Sequence, residues 1–127
     1  MREVWHICVI ATETPQTHSL DFFVRNCCYH YLIEASGNEH VLCPENEKCD
    51  IIDGFNKHTI YVAYVGGVDA RHRFMDNRTR AQIDTMRERL ISLKARYPQA
   101  KIIGRCDFPF AKTSNPFFNA KKEYHIL

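Results

Sequence analysis

No stretch of this 127-residue chain approaches the roughly 20 consecutive apolar residues that a membrane-spanning helix needs, so the pattern excludes a helical membrane protein. The apolar run from Val4 to Ala11 is broken by His6, and no small-residue cleavage pattern follows it. It therefore does not read as an export signal, and the chain is expected to start in the cytoplasm. A dominant charge is lacking too: 17 Lys and Arg against 15 Asp and Glu leave a formal +2, too weak a field to point to nucleic acid or an anionic membrane. Glycine and proline are scarce at five each, which excludes collagen-like and low-complexity chains. Nothing repeats internally, so a solenoid is excluded as well.

Cysteine pairs two to four residues apart, the spacing of a zinc knuckle, are missing. Cys27 and Cys28 are adjacent, and five residues separate Cys43 from Cys49, neither of which is the short spacing of a zinc knuckle. In a reducing compartment the six cysteines are expected to be mostly buried thiols, with no bridge between Cys43 and Cys49. What the chain does contain is 45% hydrophobic and 25% charged residues, an ordinary globular balance. Its length suits one core and a single domain over 1–127.

The apolar run Glu3 to Ala11 predicts a strand covered on both faces and placed in the sheet centre. Thr12 to Ser19 predicts a loop, and Leu20 to Cys27 a short helix or irregular segment. Tyr29 to Ala35 and Glu39 to Cys43, joined by Ser36-Gly37-Asn38, predict a β-hairpin. Pro44 to Asn56 predicts a long surface loop, and Thr59 to Val65 a strand ended by Gly66-Gly67. Thr79 and Gln82 have the spacing of a capping box, and Ile83, Met86, Leu90, Leu93 and Tyr97 follow at steps of three and four. That predicts a helix, stopped by Pro98 and followed by a short strand over Lys101 to Gly104. Beyond Arg105, Phe108, Phe110, Phe117 and Phe118 predict a loop pinned by aromatic anchors. The order is α/β: a mixed central sheet flanked by helices.

Several collinear segments carry a resemblance: Cys8-Val9-Ile10-Ala11-Thr12, Tyr29-His30-Tyr31-Leu32-Ile33, Asn56-Lys57-His58-Thr59-Ile60, Gly66-Gly67, Asp76-Asn77-Arg78-Thr79, and Arg96-Tyr97-Pro98 through Gly104. Together they resemble the type-2 N-acetylmuramoyl-L-alanine amidases, the family of phage amidase-type lysozymes and peptidoglycan-recognition proteins. The resemblance covers most of the chain. It implies a mixed sheet with flanking helices, and in active members a zinc ion held by two histidines and a cysteine, with an open position for water.

In that alignment the three ligand positions are occupied by Cys8, Arg105 and Ser114. A thiolate can bind zinc and a hydroxyl is a poor ligand, but a guanidinium offers donors only and stays charged. Cys106, next to Arg105 on a strand, is expected to face the other way. Tyr29 matches the tyrosine that faces the zinc-bound water and Lys112 the lysine that steadies the oxyanion; both are read as vestigial catalytic positions. Ile51 falls where many relatives carry a histidine beside the cleft.

The resemblance thus implies a ligand cleft formed by Cys8, Tyr29, Arg105, Lys112 and Ser114, with no metal, no cofactor, and Arg105 donating to Ser114, to the Tyr29 hydroxyl or to an anion. The partner implied is a peptidoglycan fragment or muropeptide. The rival reading is an active zinc amidase with an altered ligand set; a third is a pure interaction scaffold. His30 and His58 are read as hydrogen-bonded core or rim residues. His6 and Cys8 share a strand face, which leaves a shifted metal site as an alternative, and a nucleophilic Cys8 or Cys106 as another.

Overall fold

The computed structural model describes residues 2–26 and 29–127; Cys27, expected at the end of the first helix, and Cys28, expected with it among the thiols, lie outside the described residues. The elements run β1 (His6–Ala11), α1 (Leu20–Asn26), β2 (Tyr31–Ile33), β3 (Glu39–Val41), β4 (Thr59–Tyr64), α2 (Arg80–Arg96), β5 (Lys101–Gly104) and α3 (Ala120–Glu123). The five strands form one mixed sheet in the order β3-β2-β4-β1-β5. β1 pairs in parallel with β4 and β5, and β2 in parallel with β4. Only β3, at one edge, runs antiparallel, as the second arm of the expected hairpin. β4 takes the centre that the pattern assigned to β1, and β1 lies beside it. Both are buried along nearly their whole length, because each is covered on two faces.

Alternation divides the sheet into two layers. Ile7, Val9, Ile33, Ile60, Val62 and Tyr64 face the layer of α2 and α3, where Met86, Leu90, Leu93 and Tyr124 meet them. Full burial of each large aliphatic side chain contributes roughly 1.5–3 kcal/mol. On the other face Cys8, Ile10, Leu32, Tyr61 and Ile103 pack with Phe23 of α1, with Cys43, Cys49 and Ile52, and with Phe108.

The capping box forms as the sequence indicates: the Gln82 amide donates to the Thr79 hydroxyl, and the Gln82 side chain accepts from the Thr79 amide. Gln82 does more than cap. Its side chain is fully buried, and the amide nitrogen Nε2 donates to the carbonyls of Ile33 and Val65, both at 3.0 Å, so the helix start is bolted to β2 and to the end of β4.

The stretch from Pro44 to Asn56 is a largely exposed surface loop, as expected, but it is anchored to the core at three residues. Cys49 is fully buried and Ile52 and Asn56 are buried. The Asn56 Oδ1 accepts from the amides of Ile51 and Ile52 and from the Tyr61 hydroxyl. Arg2 donates to the carbonyls of Glu45, Glu47, Asn56 and Lys57, which satisfies groups that irregular backbone leaves open. At the C-terminal end Phe108 is a buried anchor, whereas Phe110 is 99% exposed and anchors nothing. Among the described residues no helix is long and apolar enough to cross a membrane.

Candidate ligand groove

β5 ends at Gly104, and Arg105–Asp107 continue as a 3-10 turn. The turn is held by the Asp107 carboxylate, which accepts from the Gly104 amide at 2.8 Å. Gly104 is required here, because an added Cβ would lie 2.7 Å from Cδ of Pro116. The 113–117 segment is in turn tied to the sheet: the Cys106 amide donates to the Asn115 carbonyl at 2.8 Å, and the Tyr64 hydroxyl to the Pro116 carbonyl at 2.7 Å.

These ties open a groove of about 560 Å³ beyond β5, with Cys106, Asp107 and Ser114 on its polar side and Phe74, Met75 and Phe117 on its apolar side. A hollow of about 510 Å³ adjoins it, lined by Lys112 and sharing Phe74, Thr113, Ser114 and Phe117. Phe74 and Phe117 stack with centroids 5.2 Å apart and planes 10° apart.

The five expected cleft residues separate into two levels. Ser114 and Lys112 are exposed and line the hollows. Cys8 and Tyr29 line neither hollow: Cys8 is fully buried, its thiol donating to the Val9 carbonyl at 3.8 Å, and Tyr29 packs against that same buried layer. Arg105 is half-buried, and its charge is felt by the Cys8 thiol. Among the described residues its guanidinium makes no side-chain hydrogen bond, so the expected donation to Ser114 or to the Tyr29 hydroxyl is not formed. Cys106 also differs from expectation. Strand alternation does not apply in a 3-10 turn, where successive side chains fan out at about 120°, and Cys106 faces the groove with Ser114.

No family model matches the chain. The endolysin of Escherichia phage T7 is 31% identical over 94 residues, covering 74% of this chain and 61% of that protein; the chain therefore spans less than two thirds of the relative's length. Among solved structures, the endolysin N-acetylmuramoyl-L-alanine amidase LysCS from Clostridium intestinale superposes with a TM-score of 0.79 at 16% identity, covering 99% of this chain and 86% of that one. Human PGRP-IBETAC, in complex with glycosamyl muramyl pentapeptide, gives 0.73 at 13% identity, covering 97% and 82%. The chain is thus similar to phage endolysins over most of its length, and it has the fold of these amidase and PGRP structures.

In the alignment that the sequence resemblance implies, the zinc positions fall on Cys8, Arg105 and Ser114, and the chemistry of these three side chains bears on whether an ion could be held there. Arg105 has no lone pair to give. Burial pushes the Cys8 thiol far up, an effect that the Arg105 charge only partly offsets, and the Ser114 hydroxyl is a weak, neutral donor. The Cys106 thiol is raised as well, by burial and by the Asp107 carboxylate. Neither sulfur is thus a ready thiolate, which weighs against a cysteine nucleophile.

The histidines divide similarly. His6 sits edge-on to Phe55 and Phe108 in the Cys8 layer, and its Nδ1 is buried without a hydrogen-bond partner among the described residues. His58 stacks on Trp5 at 3.7 Å. His30 is fully buried, with its Nε2 2.7 Å from the Glu47 carbonyl and its Nδ1 accepting from the Tyr61 amide at 3.0 Å, the hydrogen-bonded core role read from the sequence. Sequence reasoning missed Asp107 and the Phe74–Phe117 pair, which no local pattern marks. It also missed that Cys43 and Cys49 converge on His30, all donor atoms lying within 4.8 Å of one another.

Proposed function

We propose that the chain is a single amidase-like domain that holds a peptidoglycan fragment in the groove without hydrolysing it. What supports this reading is a groove with polar and aromatic walls, together with a buried neutral thiol at Cys8 and a guanidinium at Arg105 in the positions that the resemblance aligns with metal ligands. A site built this way recognises polar ligands but has no group to polarise a water. The phage endolysin relatives and the PGRP neighbour with a bound muramyl pentapeptide support the choice of ligand class. Calorimetric titration with a muropeptide, followed by chromatography of the mixture, tests it. Binding with the amide intact is expected; absence of binding, or steady cleavage, sinks the reading.

A second reading, an active amidase with an altered ligand set, draws on Cys106, Asp107 and Ser114 sharing one groove. It predicts amide cleavage that Cys106→Ser abolishes.

A further inference from the structure

His30, Cys43 and Cys49 come from three separate segments, the entry to β2, the exit from β3 and the irregular stretch that follows. They meet in the buried layer, across β4 from Cys8. We propose that they bind a structural zinc ion independent of the ligand groove.

The distances suit it. A tetrahedral zinc with sulfur at about 2.3 Å and nitrogen at about 2.0 Å sets neighbouring donors roughly 3.5 to 3.8 Å apart. The Cys49 sulfur lies 3.6 Å from the His30 Nδ1, and the three donor atoms all lie within 4.8 Å of one another. The tautomer suits it too. The Nε2 of His30 sits 2.7 Å from the Glu47 carbonyl, so Nε2 carries the proton and the Nδ1 lone pair is the one available. A backbone carbonyl on the far ring nitrogen is the usual support for a metal-bound histidine.

The competitor for the Nδ1 lone pair is the Tyr61 amide at 3.0 Å, which the ion would displace. All three donors are buried, so no substrate reaches the ion and its role is structural. It would staple the stretch between β3 and β4, which contains no strand and only a 3-10 turn at Asn56–His58, onto the sheet.

The test is metal analysis of the full chain purified without chelator, beside Cys43→Ser, Cys49→Ser and Cys106→Ser. One zinc per chain is expected in the parent and in Cys106→Ser, and loss of it in the other two. Because Cys49→Ser empties a fully buried donor position and is at risk of misfolding, the parent is also loaded with cobalt. A thiolate-to-cobalt charge-transfer band is expected, together with a Tm that rises with added metal. A parent that holds no zinc and gives no cobalt band overturns the proposal. So does zinc that survives Cys43→Ser and Cys49→Ser but vanishes in Cys106→Ser, an outcome that would place the ion in the groove.

Discussion

Asn115 pairs with both backbone groups of Ala11: its Oδ1 accepts from the Ala11 amide at 2.7 Å, and its Nδ2 donates to the Ala11 carbonyl at 2.9 Å. A side chain thereby stands in for a neighbouring strand at the end of β1. The same Nδ2 reaches the Glu13 carboxylate at 2.9 Å, and the Asn115 carbonyl takes the Cys106 amide, so one buried residue sets the groove wall against the sheet. Asn115→Ala would leave buried groups unpaired at a cost of about 1–3 kcal/mol each. The expected result is a loss of about 2–4 kcal/mol in urea unfolding, with weakened muropeptide binding. A change under about 1 kcal/mol would mean that water replaces the side chain without penalty.

The second prediction concerns Arg78, whose side chain is only 4% exposed. It bonds to Asp76 and to Glu123, at 2.9 Å in each case, and lies 3.4 Å from the Phe118 ring centre, joining the entry to α2 with α3. Its hydrogen bonds hold the Glu123 carboxyl below the ordinary value, against the opposing effect of burial. A carboxyl whose folded pKa is depressed contributes stability that is present above its unfolded pKa, about 4.3, and lost as pH falls through the folded value. Urea midpoints measured from pH 7 to pH 3 are therefore expected to fall below about pH 4.3 more steeply in the parent than in Glu123→Gln. Parallel curves for the two proteins would contradict this role.

The parts of the fold legible in the sequence are those whose signals are local. The 3.6-residue period and the Thr79–Gln82 box fix the start of α2, and the β-branched run fixes β4, because propensity and burial agree there. Gln82 shows where locality ends. Its spacing marks a cap, but its bonds to Ile33 and Val65 depend on two strands distant in sequence. The same limit hid the packing of the stretch from Pro44 to Asn56, where Asn56 supplies an acceptor that composition cannot reveal. At the groove, the family alignment pointed to Ser114 and Lys112, which line the hollows, and the strand reading had Arg105 and Cys106 alternate. The chain turns into a 3-10 helix after Gly104, and that single change of backbone put Cys106 at the groove.

Phe74 should matter to binding and little to folding. It is 63% exposed, so truncation removes little buried area, while its stack with Phe117 forms the apolar wall of both hollows. Aromatic contacts are worth about 0.5–1.5 kcal/mol beyond area burial, which converts to roughly 2- to 12-fold in affinity. Phe74→Ala is expected to weaken muropeptide binding within that range in a calorimetric titration, with Tm unchanged. An affinity equal to the parent's would remove the ring pair from the recognition surface.

The last prediction rebuilds the family's ligand set. Cys8→His, Arg105→His and Ser114→Cys, combined, replace a buried thiol, a guanidinium and a hydroxyl with two imidazoles and a thiol, donors that suit tetrahedral zinc with one position open for water. Arg105 is the substitution that decides the outcome, because as long as its positive charge remains it repels the ion and contributes no lone pair. The triple variant is expected to hold one more zinc than the parent under identical purification, and the double variant that retains Arg105 to hold no more than the parent. Comparing each protein with the parent separates this ion from any held by His30, Cys43 and Cys49, since those residues are unchanged throughout. Cys8 is fully buried, and a larger ring there will strain the layer around Phe108 and Ile103, so unfolding curves must accompany the metal analysis to show that the variant is folded. Cleavage of a muropeptide by the triple variant alone would show that hydrolysis was lost at these positions. If the parent itself cleaves, and Arg105→Ala leaves both cleavage and metal content unchanged, the non-hydrolytic reading fails and an amidase centred on Cys106, Asp107 and Ser114 takes its place.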